Sequence, residues 1–273
     1  MMLVSPSPKE PADMCFDLDS HPPIAPISGG SLDHARLVLS ADDGNRFLAF
    51  RARAARPTGA GMVILPDVRG LHQYYEELAL RFAEHGVDAL AIDYFGRTAG
   101  TDTPRDDTFE FWPHVEQTTW AGLGADIRAA ATDVRSADGG DVRSLFIVGF
   151  CFGGRMAFAS PTLELGLAGA IGFYGRPTGD HGSGMPAPVE VAGSIESPIL
   201  GLFGGDDPGI PADAIAAFDA ALETAGVDHR LVTYGGAPHS FFDRKAADFA
   251  DASAAAWAEV LDFVAARTAG AAD

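Results

Sequence analysis

Two cysteines, Cys15 and Cys151, are the whole thiol complement of this 273-residue chain. Two thiols cannot build a disulfide framework or a four-cysteine zinc site, so each needs its own explanation. Positive charge is also scarce, with 19 Lys and Arg against 38 Asp and Glu and a net charge of −19 at pH 7. Such a surface repels phosphate backbones and anionic headgroups, which argues against nucleic acid and membrane partners. No run of about 18 apolar residues is free of charge, as a membrane-spanning helix requires. The opening residues, MMLVSPSPKEPADM, lack the basic start and apolar core of an export signal, so a cytoplasmic protein is expected. There is no HExxH, no clustered His/Cys set and no P-loop, so neither metal nor cofactor is expected.

What the chain does have is regular alternation. Residues 1–30 are rich in proline and serine and read as a tail or strap, with Phe16, Leu18, Ile24 and Ile27 available to pin it to the body. From residue 31 to 273 the pattern is that of one α/β domain. Residues 35–40 and 45–53 alternate around Asp42-Asp43-Gly44 and predict a β-hairpin. Short runs at 61–66, 87–92, 144–150, 168–174, 198–204 and 229–234 are apolar at nearly every position, as in strands buried on both faces of a mostly parallel sheet. Helical periods fall between them at 74–85, 116–136, 153–165, 211–225 and 245–267. The alternation predicts right-handed βαβ crossovers and a sheet of about eight strands flanked by helices. The long irregular stretch 94–120 is of a kind that tends to line sites.

At the end of the run 144–150 the chain reads Gly149-Phe150-Cys151-Phe152-Gly153-Gly154 and then turns helical. A residue at the apex of a tight strand-to-helix turn needs small neighbours two positions either side, and Gly149 and Gly153 supply them. Cys151 at that apex sits at a helix N-terminus, which favours thiolate. A buried packing cysteine is the competing reading. A nucleophile needs an acid and a base farther on. Asp206 and Asp207 follow the strand 198–204, and one of them is expected to serve only as a turn or helix cap. His239 stands in the glycine-rich loop after the last strand. The order nucleophile, acid, histidine is that of α/β-hydrolases.

These segments, over about residues 31–267, resemble the dienelactone hydrolases (carboxymethylenebutenolidases), cysteine-dependent members of the three-layer α/β-hydrolase fold. The resemblance rests on Gly149-Phe150-Cys151-Phe152-Gly153-Gly154, Gly204-Gly205-Asp206-Asp207-Pro208-Gly209-Ile210-Pro211 and Pro238-His239-Ser240-Phe241. It implies Cys151 as nucleophile, Asp207 as acid and His239 as base. Leu65-Pro66-Asp67-Val68-Arg69-Gly70-Leu71 looks like the family's loop after the third strand. On that likeness Asp67 is the acid that contacts the resting thiol, and the Val68 and Phe152 N–H groups form an oxyanion hole. Ile92-Asp93-Tyr94-Phe95-Gly96-Arg97 resembles the stretch whose arginine grips a substrate carboxylate, which falls on Arg97. The family's second such arginine falls on Asp243, a departure.

The expected activity is hydrolysis of an activated ester or enol lactone through a cysteine acyl-enzyme. The substrate is then a small molecule, and a carboxylate on it would have to be met by a local patch of Arg69, Arg97, Arg155 and Arg176 against the field of the whole protein. The alternative is a binding protein on the same fold that captures small molecules without turnover, which the departures at Asp67 and Asp243 would favour. Composition says nothing about oligomeric state.

Overall fold

The computed structural model describes residues 20–140 and 142–268. Cys15, Phe16 and Leu18 lie outside the described residues. The hairpin strands are β1 (Ser31–Ser40) and β2 (Arg46–Ala54), followed by β3 (Ala60–Leu65), β4 (Asp88–Ile92), β5 (Ser144–Phe150), β6 (Gly169–Phe173), β7 (Ile199–Gly204) and β8 (His229–Tyr234). They form one sheet in the order β1-β2-β4-β3-β5-β6-β7-β8. The pairs β1/β2 and β2/β4 are antiparallel, and all pairs from β4 to β8 are parallel. This is the mostly parallel, helix-flanked sheet of an α/β-hydrolase.

The central strands are buried along their whole length because both faces are covered. Met62 and Ile64 of β3, with Phe146 and Val148 of β5, point to the face covered by α1 (Gln73–Glu84). Their neighbours Val63, Leu65, Leu145 and Ile147 point to the other face, under Leu123 and Ile127 of the helix Trp120–Val134. The last helix, Ala250–Arg267, lies beside α1, with the Trp257 and Phe82 rings 4.9 Å apart. Each fully buried Phe or Leu contributes roughly 1.5–3 kcal/mol. The alternation of faces therefore fixes the register of every strand.

Helix limits differ from the periodic pattern where the backbone forbids it. The stretch 153–165 is α-helical only over Phe152–Ala159 and continues as a 3₁₀ turn over Ser160–Leu163, where Pro161 stands. Residues 245–249 are turns rather than helix. The 94–120 stretch holds two one-turn helices, Gly96–Ala99 and Trp112–Val115, too short to leave a period in the sequence. Ahead of β1, Ile24 packs on the core while Ile27 is exposed, and the segment is held by Ile27 N–H donating to Glu84 and Ser20 donating to Asp243.

From β3 the chain steps outward to β4, then crosses back to β5 on the other side and proceeds to β8. The order therefore reverses between β3 and β5. In open α/β sheets the crevice outside the carboxyl ends of the strands at such a reversal is where ligands bind. Residues 66–70 follow β3, and Cys151 follows β5.

Candidate active site

Cys151 has φ +54° and ψ −110°, a strained conformation for a residue with a side chain. What holds it there is the closeness of strand and helix. A Cβ on Gly149 would lie 1.9 Å from the Gly153 carbonyl oxygen, and one on Gly153 would lie 2.1 Å from that of Leu65. The Cys151 N–H donates to Phe173 O at 3.0 Å, which locks the apex against β6. Behind it, the buried Arg155 donates to the carbonyls of Arg176, Thr178, Gly179 and Pro186 and so gathers the loop after β6 around the first turn of this helix.

The loop after β7 presents Asp207 and the loop after β8 presents His239. Asp207 Oδ2 accepts from His239 Nδ1 at 2.6 Å across 32 residues of chain. Its Oδ1 accepts from the Gly209 N–H at 2.8 Å. Both carboxylate oxygens are thus engaged, and Asp207 is 6% exposed. Asp206 is exposed and only its backbone N–H is bonded, to Ala237 O. Of the two neighbouring acids, Asp207 is the one that meets the histidine. His239 Nε2 is buried and makes no hydrogen bond. The imidazole packs against the Tyr174 ring at 5.0 Å, and Tyr174 directly follows Phe173, the partner of the Cys151 N–H.

The loop after β3 is held by two tyrosines. Tyr75 Oη accepts from the Asp67 N–H at 3.0 Å, and Tyr94 Oη donates to the carbonyls of Pro66 and Asp67. Burial drives the Tyr75 and Tyr94 hydroxyls well above the ordinary tyrosine range, so both stay protonated. With these carbonyls satisfied, the Val68 N–H donates to no described group, and neither does the Phe152 N–H. Both residues are buried. The ring of His181, from the loop gathered by Arg155, lies 4.8 Å from the Phe152 ring.

Asp67 is buried with its carboxylate turned to Arg69. Oδ1 accepts from the Arg69 N–H at 2.8 Å, and both oxygens accept from the guanidinium at 2.5–3.0 Å. Burial alone would raise the Asp67 pKa, but the Arg69 charge and hydrogen bonds outweigh it and hold the group down at about 2. Arg69 also donates to Asp243, whose carboxyl is pushed up by burial despite that cation. Nearby His72 is pressed down to about 3 by burial and by the Arg69 charge.

Arg97 is placed otherwise than the resemblance implies. It bonds Asp43 at 2.7 Å and Asp126 at 2.8 Å and donates to Gly122 O, so its guanidinium is committed to ion pairs. The cause lies in residues that are remote in sequence but adjacent at the sheet edge. Sequence reasoning missed the bond from Arg69 to Asp243 and the two tyrosine clamps. The Asp67-x-Arg69 spacing was a signal for a local pair; nothing in the sequence announces Asp243 as the third member. Among the described residues no group of three His, Cys, Asp or Glu is placed to hold a metal, and no helix is long and apolar enough to cross a membrane.

Comparison with known proteins shows the family of the chain. The dienelactone hydrolase family profile matches residues 50–267. A Salmonella typhimurium protein named "Putative carboxymethylenebutenolidase" is 28% identical over 249 residues, covering 90% of each chain. Its namesake in Escherichia coli K12 is 29% identical over 201 residues, 72% of this chain and 74% of that one. Among solved structures, a Klebsiella pneumoniae protein described as a "Putative Dienelactone Hydrolase" superposes with a TM-score of 0.73 at 25% identity, covering 86% of this chain and 99% of the other. A dienelactone-hydrolase-like promiscuous phosphotriesterase from metagenomic libraries has the same fold, with a TM-score of 0.72 at 23% identity, covering 88% and 100%. The chain belongs to the dienelactone hydrolase family and is an ester hydrolase on the α/β-hydrolase fold.

Proposed function

We propose that this protein cleaves an activated ester or enol lactone through a thioester on Cys151, with His239 as base and Asp207 as its orienting acid. The observation that carries this is the His239–Asp207 hydrogen bond at 2.6 Å, on loops that flank the strained Cys151 turn. Asp207 fixes the proton on Nδ1, which leaves the Nε2 lone pair to take the thiol proton. The thiolate adds to the acyl carbon and the carbonyl electrons move onto oxygen. The unpaired Val68 and Phe152 N–H groups are suited to receive that oxyanion; one such donor is worth about 2.7–4 kcal/mol of barrier. Collapse expels the enolate, which takes the proton from His239. Water, deprotonated by His239, then cleaves the thioester and returns the thiol.

The nucleophile limits the substrate. A thiolate leaves more easily than an alkoxide, so the adduct reverts unless the substrate's own leaving group departs readily. Enol esters and enol lactones meet that condition, whereas alkyl esters and amides do not. Of the four arginines near the strand ends, Arg69, Arg97 and Arg155 are bonded within the protein. Arg176 is exposed, forms no ion pair among the described residues, and stands two positions after Tyr174. It is our candidate to meet a carboxylate on the substrate. A thiol nucleophile suits a reducing compartment, and we place the protein in the cytoplasm.

Cys151→Ala should abolish turnover of an enol lactone, followed by absorbance, and Cys151→Ser should keep only a remnant. Unchanged turnover in the alanine variant would place the chemistry elsewhere. The non-turnover alternative drew on the departures at Asp67 and Asp243, and both are engaged by Arg69. An acyl burst with no steady state would restore that alternative.

A further inference from the structure

The buried cluster around Arg69 has no part in the steps above. Asp67, Arg69 and Asp243 are 2%, 4% and 4% exposed, and two carboxylates share one cation. Removing three charges from water costs several kcal/mol per ion, and buried ion clusters are often replaced by apolar residues with no loss of stability. Such a cluster is weak evidence for a purely stabilising role. A guanidinium does offer something an apolar contact cannot, namely a planar fork of donors with fixed directions.

The cluster joins two functional loops. Arg69 directly follows Val68, and Asp243 lies four residues beyond His239 in a turn closed by the Asp243 N–H donating to Ser240 O. The bond between Arg69 and Asp243 spans 174 residues. Helix α1 contacts both loops as well. Tyr75 receives the Asp67 N–H, and Tyr74 donates to Phe242 O at 2.8 Å. The tyrosines tie each loop to α1, whereas Arg69 ties the loops to each other. Asp243 Oδ1 accepts from Ser20 at 2.5 Å.

We propose that Arg69 is a positioning residue, its guanidinium spanning Asp67 and Asp243 to fix the oxyanion loop relative to the histidine loop. The inference rests on the thiol mechanism above. In that mechanism the acyl oxygen must meet the Val68 N–H while His239 reaches the thiol and then the attacking water. A displacement of about 1 Å between such groups can lower turnover about 100-fold without weakening substrate binding.

The test is steady-state kinetics on an enol lactone, with folding checked by circular dichroism. Arg69→Met should lower kcat about 10- to 100-fold with KM changed less than about threefold. Arg69→Lys, which keeps the charge but loses the fork, should recover part of that loss. Asp243→Asn should lower kcat by about tenfold, and Arg69→Met/Asp243→Asn should be no worse than Arg69→Met alone, because both act through one link. If Arg69→Met does not fold, Arg69→Lys and Asp243→Asn carry the test. A folded variant with wild-type kcat, a loss confined to KM, or losses that multiply in the double variant would overturn the proposal. Cys151→Ala, assayed beside these, separates the two failures. Turnover surviving in it removes the thiol mechanism, whereas a silent Cys151→Ala with unaffected Arg69 and Asp243 variants removes the brace alone.

Discussion

Replacing Asp207 by Asn tests how far the histidine depends on its partner. Asp207 Oδ1 is held by the Gly209 N–H at 2.8 Å, and only an oxygen can remain there. The amide nitrogen of Asn must then face His239 Nδ1, where Asp207 Oδ2 now sits at 2.6 Å. A donor against Nδ1 moves the ring proton to Nε2, so the lone pair that the proposed mechanism offers to thiol and water is lost. The two half-reactions should suffer unequally. A free thiol with a pKa of about 8.5 is still about 3% ionised at pH 7, so acylation should slow only about 30-fold. Water has no such reserve, and losing its general base costs about 10²–10⁴. Steady-state kcat should therefore fall by about 10³, some 4 kcal/mol, while the acyl burst survives in slowed form. Stopped-flow absorbance and intact mass of the acylated protein would follow both. A kcat within threefold of wild type would refute the reasoning, and equal slowing of burst and steady state would refute the thiol-specific part of it.

Other expectations concern charge, packing and pH. Arg176→Ala should lower kcat/KM about two- to fivefold for a carboxylate-bearing enol ester and leave its neutral methyl ester unchanged; equal losses would remove the anion contact. Gly149→Ala should lose more than about 4 kcal/mol in urea unfolding, since its Cβ would sit 1.9 Å from the Gly153 carbonyl oxygen; a well-folded variant would mean the turn can open. His72, with a folded pKa of about 3 against an ordinary 6.5, stays neutral in the native state while the unfolded chain takes up a proton. Its contribution is unaffected above pH 6.5 and is lost as pH falls from there toward 3, by up to about 1.4 kcal/mol per unit. His72→Gln should therefore flatten the acid side of the stability profile, and parallel profiles for variant and wild type would contradict this.

The parts of this molecule visible in the sequence were those with a local cause. Strands β3 to β7 could be located because burial on both faces leaves runs such as LFIVGF, and the hairpin because its two runs alternate around Asp42-Asp43-Gly44, whereas β8, expected to be buried on both faces, is the sheet's edge strand and only partly covered. The Cys151 turn was legible because glycines must stand on either side of it. Asp207 and His239 were legible as loop residues at strand ends; the residues alone left Asp206 and Asp207 open, the family resemblance selected Asp207, and it is Asp207 that bonds His239. Charge partners were not legible. Arg97 finds Asp43 and Asp126, and Arg69 finds Asp243, through adjacency created by the sheet, with no periodicity to announce it. One-turn helices such as Trp112–Val115 are shorter than the repeat that would betray them.

The bond from Ser20 to Asp243 also bears on how the protein can be handled. It places Ser20 alongside the histidine loop, at the carboxyl edge of the sheet. The outgoing helix ends with Arg267 bonded to Asp228, just before β8 begins, at the opposite edge. A tag, surface anchor or fused reporter joined directly after Thr268 would therefore start from the far side of the molecule. The same addition joined close ahead of Ser20 would crowd the approach to His239 and register as an apparent loss of activity with no change in the chemistry.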